Sequence, residues 1–343
     1  MRLKKETLMD EPNDELYITV DLWPHESFFT GDIDFPEEAT EHPIIHECSE
    51  AEYHRIKAFG SSYLKNIVYT SPQHAHVPID GGKSFVMGIA FECLIQDAFT
   101  ATQPAKLKQQ IAGGKFHTHS STFNKRCALR GDFSKGKNIK AIREAWYEEN
   151  KDKTHVTMPN LLKAMEMVKS SLGNDGWHRH LRGGEWQQVI LWMEQGLPMK
   201  AMLDFNYTSL PGQVPVDIKT CNGKQTKANF DGFSRQTGKL MYDLQAAHYS
   251  TGLAQIYGHD KVEPFIFLVV EANPPYGSAV YKASAAFNES GFALRDQAIK
   301  RLQEYINEFP AGIEPYAKYN ENDFLLDPPV YHWKNATNGD ANE

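Results

Sequence analysis

The chain is poor in the features that assign many proteins at a glance. Its 343 residues contain no run of 18 apolar residues, so no membrane-spanning helix is expected. The first residues, MRLKKETLMDEPNDEL, carry positive charge with no apolar stretch behind it, and no secretory signal is expected. Four cysteines (Cys48, Cys93, Cys127 and Cys221) are scattered without a Cys-x-x-Cys pair. That spacing argues against a structural zinc or iron–sulfur site and fits a reducing cytoplasm. The glycine pairs at 81–82, 113–114 and 183–184 are not followed by Gly-Lys-Ser/Thr, so they read as turns and not as phosphate loops. There are no internal repeats and no low-complexity segments.

What is present is ordinary in bulk and uneven in distribution. Hydrophobic residues make up 41% and charged residues 23%, enough for a soluble globular protein with a sizeable core. The length suits one large domain or two ordinary ones. The formal net charge of −8 speaks against a nucleic-acid partner until it is resolved along the chain. Residues 1–52 hold three basic and fifteen acidic residues, and residues 321–343 hold one basic and five acidic. Between them, residues 101–143 hold ten Lys/Arg and a single acidic residue, Asp132. A basic middle between acidic ends is compatible with a phosphate-contacting surface, and equally with a lysine-rich solvated loop.

Patterning gives the order of elements. Residues 1–52 read as an irregular acidic extension, with two short apolar runs, Leu16–Leu22 and Pro43–Ile45, as candidates for docking it. A helical pattern covers 50–69, with Ser61 or Ser62 as a cap and Pro72 at its end. A second apolar helix, SFVMGIAFECLIQDAF, holds Glu92 in otherwise apolar surroundings. A carboxylate there needs a partner or a cation unless it faces solvent at the helix edge. Residues 101–135 show no clear period and read as loops. After two further helical stretches, GGEWQQVILWMEQGLPMKAMLDF reads as strand, turn, strand, and the strand with VPVDIKT follows. A single helix is expected over about 236–253, with Gln245, His248 and Tyr249 on one face. Two strands and a long amphipathic helix, about 290–309, close the order. This predicts an α/β fold with a mixed central sheet flanked by helices.

The segment 199–220 is the most telling. Side chains alternate along a strand, so Asp217 and Lys219 share one face, and a hairpin brings Asp204 towards them. Two carboxylates and a lysine suit a hard, oxygen-seeking cation such as Mg2+ and phosphodiester chemistry. Asp-x-Lys also occurs on solvated strands, so the tripeptide alone does not decide. The histidine pairs at 117/119 and 178/180 have no adjacent Cys or carboxylate cluster, and Trp177, Trp186 and Trp192 read as core or interface.

In order, the pieces FGSSYLKNIVYTSP, MGIAFECLI, GGEWQQVILW, KAMLDF, VDIKT, YDLQAAHY and FIFLVVEANPPYGSAVY resemble a PD-(D/E)xK nuclease, and within it the RecE-type (exonuclease VIII) and lambda-exonuclease-type recombination exonucleases. The resemblance spans about residues 59–316. The sequence departs from the pattern in three places: Leu203, not proline, precedes Asp204; glutamate (Glu92) stands where RecE-type proteins have histidine and lambda-type proteins have glutamate; and the acidic N-terminal extension has no counterpart. The resemblance implies a restriction-endonuclease-like core over 53–318, between the acidic extension 1–52 and an acidic tail 319–343. It also implies a Mg2+-dependent exonuclease that degrades linear duplex DNA 5′→3′ and leaves 3′ single strands for recombination by strand annealing.

Its implied metal ligands are Glu185, Asp204, Asp217 and the Ile218 carbonyl, with Glu92 in or near the shell, holding one or two ions that Mn2+ can replace. Lys219 orients or activates water, and Gln245 and Tyr249 bracket the site. Ser61, Ser62 and Lys65 are candidates for the terminal 5′ phosphate. Lys125, Arg126, Arg130, Lys135 and Lys137 are candidates for the DNA track. Implied partners are DNA ends, a single-strand-annealing recombinase and copies of the chain in a trimeric or tetrameric ring, in the cytoplasm of a bacterial host and without a membrane. The alternatives are another PD-(D/E)xK DNA endonuclease, or a non-catalytic DNA-binding or assembly protein on the same fold.

Overall fold

The order of hydrophobic segments becomes one mixed sheet with helices on both faces. The computed structural model describes residues 24–313, except 71, 77–82, 102–103, 132, 134–137, 210–211 and 223–225. The main elements, in chain order, are β1 (Ile44–His46), α1 (Ser61–Tyr69), α2 (Lys83–Thr100), α3 (Pro104–Ala112), β2 (Cys127–Leu129), α4 (Ile139–Glu149), β3 (Thr154–Val156), α5 (Met158–Leu172), β4 (Gly184–Glu194), β5 (Leu197–Thr208), β6 (Gln213–Cys221), α6 (Phe230–Leu240), α7 (Tyr242–Tyr257), β7 (Ile266–Glu271), β8 (Ser278–Lys282) and α8 (Ala285–Glu308). The large sheet has the order β1-β4-β5-β6-β7-β8, and β2 and β3 form a separate parallel pair. Only the β6–β7 step of the large sheet is parallel, and the chain crosses it through α6 and α7.

Local chemistry sets the central hairpin. Glu194 pairs with Leu197, leaving a two-residue turn in which Gln195 has φ 51° and Gly196 φ 76°. Two successive positive φ values suit the right-handed twist of the flanking strands, and glycine takes the second at no steric cost. The register counted outward from this turn fixes every pair of β4 with β5, down to Gly184 with Tyr207.

Two large cores sandwich the sheet. One gathers α1, α7 and α8 residues against Trp192, Leu203, Phe265 and Phe267; the other gathers α2 and α5 against Phe205, Val216, Leu268 and Val270. Close helix packing depends on small residues. At Gly291 on α8, an added Cβ would lie 2.2 Å from the Asp243 carbonyl oxygen of α7. A buried ion pair ties the layers together: Arg295 Nη1 donates to Glu194 Oε1 at 2.9 Å, Nη2 contacts Oε2, and Arg295 Nε meets His248 Nδ1 at 3.4 Å. Arg295→Met should destabilise the fold by about 3–5 kcal/mol, because Glu194 is left as an uncompensated buried charge. Urea titration of the two proteins measures this, and a difference under about 1 kcal/mol would show that the pair behaves as a solvent-screened one.

Several sequence expectations change. Residues 24–52 are not an irregular extension. Phe28 and Phe29 enter the main core, and β1 is the edge strand of the large sheet, pairing with Val189–Leu191 of β4. Apart from Glu50, which turns to Arg126, their acidic residues face outward around a few apolar anchors, so charge counting hid the packing. Residues 101–135 are not all loop: α3 buries Leu107 and Ile111, and a short helix, Ser121–Arg126, leads into β2. The helical stretch 50–69 divides into Glu50–Arg55 and α1. Between them Phe59 hydrogen-bonds to β5 through Pro198 O and Lys200 N, at 2.8 and 3.0 Å. Gly60, and neither serine, caps α1. Pro72 opens a short helix, Pro72–Ala75. The helix expected over 236–253 is two, broken where Met241 adopts φ 47°. The glycine turn at 81–82, residues 1–23 and the tail 319–343 lie outside the described residues.

Candidate active site

The site forms where β5 and β6 part. These strands pair only from Phe205↔Val216 to Thr208↔Gln213. Asp204 and Asp217 are the next residue on each strand beyond the last pair, so the two carboxylates face each other across the mouth of the fork. The Ile218 N–H, which has no ladder partner on β5 here, donates to Asp204 Oδ2 at 2.6 Å. On the other side of β5, Gln187 of β4 stands in register with Asp204, has φ 53°, and makes no ladder pair with it. A positive φ in a strand is rare for residues other than glycine, and it marks a local distortion of the sheet beside the carboxylate. Side chains change faces across it: Leu203 belongs to the α7 core and Phe205 to the α2 core.

Burial decides the electrostatics. Asp217 is only 2% exposed. Its Oδ1 accepts from Gln245 Nε2 at 2.8 Å, and its Oδ2 lies 2.6 Å from Lys219 Nζ. Lys219 is thus the partner of Oδ2. Asp204 is held well above the usual carboxylate range, first by burial and then by the nearby charges of Asp217 and Glu92. Burial pulls the Lys219 pKa down, but Asp217, Tyr242 and Asp204 together outweigh it and raise the value above that of an ordinary lysine. Lys219 is therefore an ammonium at neutral pH, stacked 4.7 Å from the Tyr242 ring centroid.

A cleft of about 680 Å3 opens onto these groups; Ser61, Ser62, Lys200, Gln245 and Tyr249 also line it. Gln245 and Tyr249 come one turn apart from α7, as their spacing predicts. Burial, reinforced by Tyr53, Asp217 and Asp204, keeps the Tyr249 hydroxyl neutral. Ser61 is buried and Ser62 exposed at the start of α1. Lys65 points inward and donates to Gln245 Oε1 at 3.0 Å. Lys200, which the sequence did not single out, donates to the Tyr53, His54 and Ile56 carbonyls at 3.0, 3.3 and 2.7 Å.

Other candidates stand elsewhere. Glu185 is exposed and pairs with Asn206; it does not line the cleft, and the position that faces Asp204 is Gln187. Counting from the two-residue turn at 195–196 would have found Gln187. Glu92 Oε1 accepts from both Arg126 Nη1 at 3.0 Å and Gln187 Nε2 at 2.9 Å, and the Glu92 charge acts on Asp204. Arg126 also contacts Glu50 on the cleft wall. Held between two carboxylates, Arg126 is not offered to a phosphate backbone. Lys125 is exposed outside the cleft, and Arg130 lines a separate shallow groove with Arg143, Phe133 and Met158. Lys135 and Lys137 lie outside the described residues.

Among the described residues no group of three or more His, Cys, Asp or Glu side chains is gathered as a metal site. The chemistry of the pair nevertheless fits a divalent cation: two crowded carboxylates, one destabilised in its charged form, and one oxygen of Asp217 met by an ammonium where a cation is favoured. Asp204 and Asp217 would hold it, with the Ile218 main chain between them. No helix among the described residues is long and apolar enough to cross a membrane.

A family model described as "PDDEXK-like domain of unknown function" matches residues 116–311. That span includes Asp204, Asp217, Lys219, Gln245 and Tyr249, and leaves Ser61, Lys65 and Glu92 outside. No curated protein matches the sequence. Among solved structures, a "Putative exonuclease" from Eubacterium rectale is similar at 13% identity and a TM-score of 0.48, covering 85% of this chain and 99% of that one.

Proposed function

The chain belongs to the PDDEXK-like family, and from that premise we propose that it is a metal-dependent nuclease that degrades linear duplex DNA from its 5′ ends. Nucleases of the PD-(D/E)xK type generally use divalent metal ions. The observation that carries the reading is the meeting of Asp204, Asp217 and Lys219 at the β5–β6 fork, on the floor of a solvent-open cleft. When bound by the carboxylates, Mg2+ supplies charge stabilisation at the phosphate and lowers the pKa of a bound water.

The chain's own groups do the rest. Asp217 is oriented by Gln245 and Asp204 by the Ile218 N–H. Lys219, as an ammonium, can orient a water or stabilise negative charge on a phosphate oxygen. Tyr249, neutral at working pH, can donate a hydrogen bond into the cleft. Ser61 and Ser62 line the wall where a strand terminus would lie. In this reading the products are 3′ single strands, the partner is a strand-annealing recombinase, and copies of the chain assemble as a ring.

The test uses duplex DNA labelled at the 5′ or the 3′ end, a closed circle, Mg2+, and an Asp217→Ala control. Early release of 5′ label, an intact circle and an inactive control are expected. Cutting of the circle would make it an endonuclease. If neither Mg2+ nor Mn2+ supports degradation, the catalytic reading fails.

A further inference from the structure

We propose that Lys65 is a positioning residue that fixes the Gln245 amide, so that its NH2 occupies Asp217 Oδ1 and leaves Oδ2 to Lys219 and a divalent cation. The proposal rests on the metal-dependent reading above, but it assigns Lys65 a task different from gripping a DNA phosphate.

The argument is one of donors and acceptors. A lysine ammonium only donates hydrogen bonds, and an ionised carboxylate only accepts them. Gln245 bridges the two: its Oε1 accepts from Lys65 Nζ at 3.0 Å and its Nε2 donates to Asp217 Oδ1 at 2.8 Å. Turned over, the amide would set NH2 against an ammonium and C=O against a carboxylate, losing both bonds. Without Lys65 the carbonyl end of the amide loses its partner, and only the bond from Nε2 to Asp217 Oδ1 holds the side chain.

Lys65 is itself held in place, 5.3 Å from the same Tyr242 ring that Lys219 approaches. Burial, and then the charge of Lys219, lower its pKa to about 7. A neutral amine keeps two N–H donors but gains an acceptor lone pair, so the orientation is set most firmly by the ammonium form. Lys65 reaches Gln245 from α1, 180 residues earlier in the chain, and this outer position resembles that of the hydrogen-bond partners that orient metal ligands in other proteins.

The test compares Lys65→Met, which keeps the aliphatic stem, with Gln245→Ala, the double variant and Lys65→Arg. Mn2+ binding to the metal-free proteins is followed by calorimetry without DNA, and kcat and KM are measured on 5′-phosphoryl and 5′-hydroxyl duplexes. Circular dichroism checks that each variant folds. Expected is a loss of Mn2+ affinity of about 10–100-fold in either single variant, no further loss in the double variant, and partial recovery in Lys65→Arg. In kinetics, kcat should fall equally on both DNA ends.

Unchanged Mn2+ affinity in Lys65→Met, with KM raised only for 5′-phosphoryl DNA, would overturn the proposal in favour of a phosphate grip. Additive losses, or no Mn2+ binding by the unaltered protein, would also overturn it. A protein that binds Mn2+ in this Lys65-dependent way but cuts no DNA would uphold the proposal and sink the nuclease reading alone.

Discussion

Replacing Lys219 by methionine should lower DNA cleavage by about a hundred- to a thousandfold, the range for losing one positioned donor that stabilises developing charge, while leaving metal binding intact. The reasoning starts from charge. Lys219 Nζ lies 2.6 Å from Asp217 Oδ2 and competes there with any cation. Its removal therefore keeps or tightens Mn2+ affinity and separates catalytic loss from cofactor loss. Stability should fall at neutral pH. The folded pKa of Lys219 is raised, so its contribution is fully present below the unfolded lysine value and is lost as pH rises through the folded one. Single-turnover cleavage beside Mn2+ calorimetry measures both effects. Cleavage within a few-fold of the unaltered protein would remove Lys219 from the chemistry.

Asp204→Asn should abolish cleavage and, without metal, make the protein more stable. The folded pKa of Asp204 is raised. Its contribution is thus present below the unfolded carboxyl value and is lost as pH rises through the folded one, because ionising Asp204 in the metal-free protein buries a disfavoured charge. Asparagine keeps an oxygen for the Ile218 N–H and carries no charge. In EDTA the variant should melt several degrees higher at pH 8, with the gap closing on acidification. Mg2+ should raise the melting temperature of the unaltered protein and leave the variant nearly unmoved. Equal Mg2+ shifts in the two proteins would mean that the ion does not bind at Asp204.

The pair of motifs that carry the site was legible because it is local. Asp217 and Lys219 are two apart on one strand, Asp204 is one hairpin away, and Gln245 and Tyr249 are one helical turn apart. Alternation and helical period determine such neighbours. The contacts of Glu92 and Arg126 were not legible, because their partners are far along the chain. Glu92 meets Arg126 and Gln187, 34 and 95 residues away, and Arg126 meets Glu50, 76 residues away. A basic residue in a basic stretch reads as solvent-facing until packing delivers two carboxylates to it.

The sequence by itself determined the alternation of elements, the mixed α/β sheet, and the face on which Asp217 and Lys219 stand, since each follows from periodicities of two or 3.6 residues. Only the tertiary structure decided that residues 24–52 belong to the fold, that Met241 splits one expected helix into two, and that β5 and β6 separate after Phe205 and Val216 to leave two carboxylates facing each other. Those outcomes depend on burial. The few apolar anchors of the acidic segment gain more by entering the core than their charged neighbours lose at its edge. A carboxylate pair persists at the fork because Lys219, Gln245 and the Ile218 N–H are brought there to meet it.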